Sequence, residues 1–359
     1  MAKLKVGIVG LGFGLGYMRS HMLTPEGQAG LAIRAICDTD PKRITGAVNT
    51  FGCKAFSSLE QMLADADIDA VALFTGPAGR ASQIRQIIRS GRHVMTTKPF
   101  ELDARQAMDV LQEAQSLGKI VHLNSPSATP RRDMQQIRQW QAAHDLGRPL
   151  AAHFQTWCSY RETSDGRWYD DPALCPVAPI FRLGIYAIND ILDFLHEPET
   201  VQVMESRLFT GRPTPDHAQL SIRFRGGELA TVFASFCTQT YLPYADRLTL
   251  TFERGCVLRN ATPHASRLNT TLQLIAAGKD GRPAFDQAEF TGEHETGHAA
   301  YHWDTFARAI RGEEIADLTS HEQIITGIAV IDAMGRAARD GQTAMVKLPA
   351  AASTPTVAV

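Results

Sequence analysis

The sequence predicts two domains in tandem: an α/β unit built on a parallel sheet, then an α+β unit built on an antiparallel one. Three observations carry this prediction. The apolar run Val6-Gly7-Ile8-Val9 passes directly into Gly10, Gly12 and Gly14. From Lys3 to about Asn124, short β-rich runs alternate with amphipathic stretches, the pattern of a parallel sheet covered on both faces. Beyond Leu150 the texture changes to successive strand-like runs on short turns, which implies antiparallel pairing.

The first strands are expected at Leu4–Gly10, Leu31–Asp38, Cys53–Phe56, Ala70–Phe74, His93–Thr96 and Ile120–Leu123. Helices such as Ala81–Arg89 and Ala104–Ser116 lie between them, the latter closed by Gly118. A connecting helix over Arg131–His144 is stopped by Gly147-Arg148-Pro149. The second unit holds one clear helix, Phe181–Leu195, and strands at Thr200–Phe209, Leu220–Phe224, Leu229–Phe236, Leu248–Phe252 and Leu268–Ile275. Two final helices, near Ala299–Ile310 and His321–Arg339, are expected to pack back across the chain. The expected division is 1–124 for nucleotide binding and 125–348 for substrate binding and oligomerisation, the latter including the linker helix and both returning helices. Residues 349–359, rich in Ala, Pro and Thr, read as a flexible tail.

Composition narrows the function. A chain of 359 residues is long enough for two cores, and 44% hydrophobic with 21% charged residues is ordinary for a globular protein. A net charge of −2 without a long basic run argues against nucleic acid. No stretch reaches the length of a membrane span, and no cleavable apolar segment precedes the first strand. Six cysteines without C-x-x-C spacing fit reduced thiols in the cytoplasm.

The chemistry is expected beyond the carboxyl ends of the parallel strands. At the first, Gly10, Gly12, Phe13 and Gly14 leave a backbone that can approach a pyrophosphate at a helix N-terminus. The strict third glycine position falls on Leu15, straddled by Gly14 and Gly16, so the helix start is expected to shift by one residue. Asp38, ending the second strand, suits the ribose hydroxyls of NAD and repels the 2′-phosphate of NADP, although Lys42 and Arg43 nearby keep NADP open. Thr75-Gly76-Pro77 after the fourth strand is placed to line the cofactor. Lys98, in Thr96-Thr97-Lys98-Pro99-Phe100 after the fifth, is placed to bond a substrate hydroxyl beside the nicotinamide, and its peptide to Pro99 is a candidate cis bond. On the helix Phe181–Leu195, the spacing of Arg182, Tyr186, Asn189 and Asp193 aligns all four on one face. Asp193 reads as its wet side. Tyr186 can act in acid–base transfer if Arg182 and Lys98 lower its pKa.

Gly10-x-Gly12-Phe13-Gly14, Thr75-Gly76-Pro77-x-x-Arg80, Gly91-Arg92-His93-Val94 leading to Thr97-Lys98-Pro99, and Gly184-Ile185-Tyr186-Ala187-Ile188-Asn189 together resemble the glucose–fructose oxidoreductase, inositol dehydrogenase and rhizopine-catabolism (Gfo/Idh/MocA) family. The resemblance covers nearly the whole chain, and the Gly-x-Tyr-x-x-Asn form is most similar to the glucose–fructose oxidoreductase branch. It implies a Rossmann domain, a C-terminal domain with a large open, mostly antiparallel sheet, and NAD(P)-dependent hydride transfer on sugars or polyols. It also implies homodimers or homotetramers built through that sheet, and catalytic roles for Lys98 and Tyr186. Members of this fold also keep NAD bound for transient oxidation in glycoside cleavage or isomerisation, and a nucleotide sensor is a further alternative.

The chain departs from the family at Thr97, where Glu usually precedes Lys-Pro, and at Arg80, where a histidine is usual. It departs again at Arg182, where the branch commonly has Asp, and at Pro126, where an arginine usually follows the sixth strand. These changes point toward an anionic or acidic sugar derivative, with Arg182 and Asn189 among the substrate contacts. Arg161 and Trp168, in the aromatic and charged loop Cys158–Pro179, are candidates to wall a sugar pocket, with an oligomer contact as the other reading. His294-Glu295-Thr296-Gly297-His298 is a formal zinc-peptidase match, with Asp304 six residues on. Tyr301 stands where that pattern needs a turn glycine, and no metal is assigned; His298 and His302 are placed near substrate or an interface.

Overall fold

The computed structural model describes residues 2–239, 244–264, 267–278, 280–292 and 300–349. Its first sheet has six parallel strands: β1 (Leu4–Val9), β2 (Leu31–Cys37), β3 (Lys54–Phe56), β4 (Ala70–Leu73), β5 (His93–Thr96) and β6 (Val121–Leu123). The strand order β3-β2-β1-β4-β5-β6 reverses between β1 and β4, the position where a crevice opens beyond the strand ends. The strands read as continuous apolar runs because both faces are buried. Alternate residues of β1 enter opposite cores, Val6 and Ile8 on one side and Val9 on the other. The covering helices are α1 (Leu11–Tyr17, continued by a π turn at Met18–Met22), α2 (Pro25–Gly30), α3 (Pro41–Phe51), α4 (Leu59–Asp65), α5 (Arg80–Arg89) and α6 (Ala104–Ser116). Asp103 caps α6 by accepting from the Arg105 and Gln106 amides.

Through α7 (Arg132–Ala143) the chain enters a second sheet in the order β14-β13-β12-β11-β7-β10-β9-β8-β15. Its strands are β7 (Pro149–Trp157), β8 (Pro198–Ser206), β9 (His217–Phe224), β10 (Leu229–Ser235), β11 (Ala245–Phe252), β12 (Gly255–His264), β13 (Arg267–Ala277), β14 (Pro283–Thr291) and β15 (Ala344–Met345). Every pair is antiparallel except β10 with β7. Four of these strands, β7, β12, β14 and β15, escaped the sequence reading. In β7, buried Ala152, Phe154 and Thr156 alternate with exposed His153 and Gln155, so no apolar run forms. β14 is an edge strand without a fully buried residue. The face away from the core carries exposed Met204, Leu229 and Phe285.

The inner face is covered by α8 (Ile185–Leu192). The expected single helix Phe181–Leu195 instead opens as a π turn, Ile180–Gly184, and α8 itself ends at Leu192. At Gly184 a Cβ would stand 3.0 Å from both Ile180 and Val232 of β10, so glycine lets the helix start press onto the sheet.

The returning helices are α9 (Trp303–Ile310) and α10 (His321–Asp340), the latter opened by a Ser320–Gln323 capping box. Phe306 of α9 joins Met18 and Met22 under the first sheet. Ile324, Ile325 and Ile328 of α10 complete the α5–α6 core, whereas Val330, Ile331 and Met334 enter the core of the second sheet. At about 1.5–3 kcal/mol per large apolar side chain buried, one helix thus fastens two sheets in a single orientation.

Candidate active site

The glycine turn is built by backbone. Gly10 takes φ 89°, and a Cβ there would meet the Phe74 carbonyl group at 2.8 Å. Its N–H donates to Cys37 O (3.0 Å) and Phe74 N–H donates to Val9 O (2.8 Å), lacing three strand ends together. The helix starts directly at Leu11. Gly14 makes the close approach, with a Cβ there meeting Phe74 at 2.9 Å and Ile8 at 3.3 Å. Beside Gly12 the nearest atom belongs only to the Arg43 side-chain tip, at 3.5 Å. Asp38 is buried: Oδ2 accepts from the Leu11 amide (2.7 Å), Oδ1 accepts from the Asp40 amide (2.8 Å), and Arg43 lies at 3.7 Å. A side-chain-free turn between strand ends, with a carboxylate beside it, fits a dinucleotide. Thr75, Gly76 and Pro77 edge the same crevice, and Trp168 from the second domain lies 3.5 Å from where a Gly76 Cβ would be.

Arg80 fixes the loops on either side. It is fully buried, and its guanidinium donates to the carbonyls of Thr75, Thr97 (2.6 Å), Pro99 and Phe100 (3.3 Å). The loops after β4 and β5 are therefore tied through one side chain. The Lys98-Pro99 and Ser125-Pro126 peptides are cis.

Lys98 and Tyr186 meet. The Lys98 ammonium position lies 4.5 Å over the Tyr186 ring and donates to the Arg182 carbonyl. Asn124, at the end of β6, joins both: its Oδ1 accepts from the Lys98 amide (2.9 Å), and its Nδ2 donates to the Tyr186 hydroxyl (3.3 Å). Burial first, then the Arg182 and Arg80 charges, bring the Lys98 amine down to about 7. The Cys175 and Cys158 thiols act in the opposite sense, but burial lifts each to about 12 and keeps it neutral. Burial lifts the Tyr186 hydroxyl well above its ordinary value, against the expectation that neighbouring cations would depress it; the Asn124 hydrogen bond acts in the lowering sense.

The Cys158–Pro179 loop closes over this pair. Arg182 is bidentate on Glu162 (2.7 and 3.2 Å) and lies against the rings of Tyr169 (4.7 Å), Phe236 (5.1 Å) and Tyr160 (5.2 Å). Arg212, nearly fully buried, shares Glu162 (2.9 Å) and pairs with Asp170 (3.1 Å). Burial raises Glu162, but Arg182 and Arg212 outweigh it and hold the carboxyl below its usual range. Arg161 is engaged elsewhere, donating to Cys237 O and Gln239 and covering Phe209 at 4.2 Å. Asn189 is buried in the seam between the domains, donating to Ser125 (2.8 Å) with its oxygen against Gly327. Asp193, read as the wet side of its helix, is instead largely buried, accepting from Gln323 (3.0 Å) with Arg138 at 3.7 Å. The stripe Arg182–Tyr186–Asn189–Asp193 therefore faces protein along its length.

Sequence reasoning missed Asn124 and Glu162. Asn124 carried a usable signal, its place after a parallel strand; Glu162 carried none. His294 and His298 lie outside the described residues, as does the tail beyond Pro349. Among the described residues no cluster of His, Cys, Asp and Glu suits a metal, and no helix is long and apolar enough to cross a membrane. Tyr301 is buried against Tyr17 and Phe74. A cavity of about 1440 Å³ beyond α1 is lined by Tyr17, His21, Tyr301 and Trp303, but not by Lys98, Tyr186 or Asn124.

Comparison with known proteins matches this architecture. The oxidoreductase family with an NAD-binding Rossmann fold matches residues 4–125, and the Gfo/Idh/MocA C-terminal domain matches residues 134–258. The chain belongs to the Gfo/Idh/MocA oxidoreductase family. It is 24% identical over 314 residues to 1,5-anhydro-D-fructose reductase of Ensifer adhaerens, covering 82% of this chain and 84% of that one. GenD2 from gentamicin A biosynthesis, solved with NAD, superposes with a TM-score of 0.74 at 18% identity, covering 97% of each chain. The WlbA dehydrogenase of Bordetella pertussis, solved with NADH and UDP-GlcNAcA, gives 0.71 at 18% identity over 97% of this chain and 100% of that one. As a Gfo/Idh/MocA member with an intact glycine turn, the protein is an NAD(P)-dependent oxidoreductase.

Proposed function

We propose that the protein moves a hydride between a nicotinamide and a carbon of a sugar, polyol or sugar derivative, with Lys98 and Tyr186 handling the hydroxyl on that carbon. The carrying observation is that an amine on the loop after β5 and a phenol on α8 lie together, bridged by Asn124. Bound nicotinamide supplies the hydride acceptor. The chain's own residues would do the rest: Gly10, Gly12, Phe13 and Gly14 admit the pyrophosphate, Asp38 selects an unphosphorylated ribose, and Thr75-Gly76-Pro77 edge the crevice. Lys98 and Tyr186 would hold the reacting oxygen. NAD is the preferred cofactor because a buried carboxylate repels a 2′-phosphate. Trp168, over Gly76, is the loop residue best placed to wall the pocket. The open face of the second sheet, with Met204, Leu229 and Phe285 exposed, would join copies into a dimer or tetramer, measurable by light scattering.

A screen of sugars, polyols and sugar acids with both cofactors, followed by NADH absorbance, tests this reading. Net NADH formation that disappears in Lys98→Ala is the expected result. Turnover without net NADH would favour transient oxidation on a retained cofactor; NAD binding without any turnover would favour a sensor.

A further inference from the structure

We propose that Asn124 is a positioning residue that sets the direction of the Tyr186 hydroxyl: it donates to the phenol oxygen, so that the phenol's own hydrogen is turned toward the substrate oxygen. The two ends of an asparagine amide have the same shape but opposite polarity, an oxygen that only accepts and a nitrogen that only donates. One end of Asn124 faces the backbone N–H of Lys98 at 2.9 Å. A backbone N–H can only donate, so that end is the oxygen. The Thr97 hydroxyl donates to the same oxygen at 3.3 Å. The other end is then the amide nitrogen, and it lies 3.3 Å from the Tyr186 oxygen. Asn124 is 3% exposed, and its backbone is held in a bridge to Ser127. Turning the amide over would bring two donors face to face at Lys98, and a buried donor deprived of its acceptor is costly.

A phenol oxygen carries one hydrogen and accepts through its lone pairs. With Asn124 donating to it from the end of β6, the Tyr186 O–H is directed away from Asn124. The Lys98 amine lies over the Tyr186 ring at 4.5 Å, so the side of the phenol that neighbours the amine is where the reacting oxygen would sit. Tyr186 then meets that oxygen as a donor. A carbonyl oxygen only accepts, whereas an alcohol both donates and accepts. The polarity set by Asn124 therefore favours the carbonyl member of an alcohol–carbonyl pair. No bond is made or broken in this step; what is fixed is which partner donates. This inference rests on the proposed hydride chemistry for the identity of the receiving oxygen, whereas the direction of the Asn124–Tyr186 bond is independent of it.

The test is Asn124→Asp, a side chain that copies the amide when protonated and reverses it when ionised. A protonated carboxyl still accepts from Lys98 and donates to Tyr186. A carboxylate only accepts, and would draw the Tyr186 hydrogen to itself. Cofactor-free protein isotopically labelled at the tyrosine ζ carbon is followed by NMR across pH, with Tyr186→Phe identifying the signal. In Asn124→Asp the Tyr186 signal should match the wild type in acid and move toward the phenolate end of the range as the carboxyl ionises. Kinetics use the alcohol that forms most NADH in the sugar and polyol screen, together with its carbonyl product. Relative to the wild type at each pH, KM for the carbonyl should rise about tenfold as the carboxyl ionises, roughly the weight of one hydrogen bond, with KM for the alcohol little changed. A merely structural loss would move both KM values together and would not recover in acid. Asn124→Leu, which neither donates nor accepts, should weaken the carbonyl by less, and at every pH; should Asn124→Asp not fold, equal changes for carbonyl and alcohol in Asn124→Leu would overturn the proposal. A Tyr186 signal in Asn124→Asp that follows the wild type at every pH would overturn the direction of the bond. Equal changes in its two KM values would overturn the transmission of that direction to substrate. A protein that turns over no sugar or polyol, yet shows the pH-dependent signal, would sink the functional reading and leave the hold of Asn124 on Tyr186 standing.

Discussion

Two buried cationic clusters flank α8, and they behave in opposite ways. In the first, Arg131 is bidentate on Asp190 (2.8 and 2.8 Å) with Asp133 at 3.4 Å, and Arg259 pairs with Asp133 and Asp246. Burial alone would weaken these charges, yet the carboxylates win and both guanidiniums hold their protons more tightly than usual. In the second, one turn earlier on α8, Lys98 is less completely covered but faces arginines, and burial with those charges brings it down to about 7. Matched charge makes a buried cation inert; mismatched charge makes it able to exchange a proton. The first cluster reads as scaffold, and the second is the one we propose for chemistry.

Lys98→Ala and Tyr186→Phe should each lower turnover by about two to four powers of ten, the range for removing a positioned acid–base group, with NAD binding largely kept in Tyr186→Phe. Near-normal rates in both would erase the distinction between the clusters. Next in size, Asp190→Ala should destabilise the fold by about 3–5 kcal/mol, since it strands Arg131 without its bidentate partner. Glu162→Gln, at the half-exposed rim of the other cluster, should cost under about 1 kcal/mol; chemical denaturation compares the two directly. A third contrast lies in pH. The folded Lys98 amine binds fewer protons than the unfolded chain between about 7 and 10.5, so this group makes stability rise with pH across that window. Lys98→Met should flatten the rise. Asp193 has the opposite sign: burial, then Asp190, lifts its carboxyl from 3.8 to about 6, so stability should fall as pH climbs between those values, and Asp193→Asn should remove the fall. At the cofactor end, Asp38→Ala should cost roughly tenfold in NAD affinity and relax discrimination against NADP, each tenfold step being about 1.4 kcal/mol.

What was readable in the sequence was local. The glycine turn, Asp38, Lys98 with its proline, and the Arg182–Tyr186–Asn189 stripe all announce themselves within a few residues, because strand ends and helix faces are short-range patterns. What escaped was set by contacts far apart along the chain. Arg212 reaches Glu162 across 50 residues, and Gln323 reaches Asp193 across 130. The carboxylate expected to face solvent was covered by a helix arriving much later. Arg80 looked like a departure from a motif, and only the tertiary structure shows it bonding four carbonyls. The strands β7 and β14 were hidden for a different reason: a sheet with one open face writes its pattern in every second residue.

The placement of α10 has a bearing on biosynthesis. The hydrophobic layer over α5 and α6 is finished by Ile324, Ile325 and Ile328. These leave the ribosome roughly two hundred residues after β6, about 10–40 s later at ordinary translation rates. Throughout that interval the nucleotide-binding half carries an uncovered apolar patch. The first half of the chain can complete its core only once its last helix has been made.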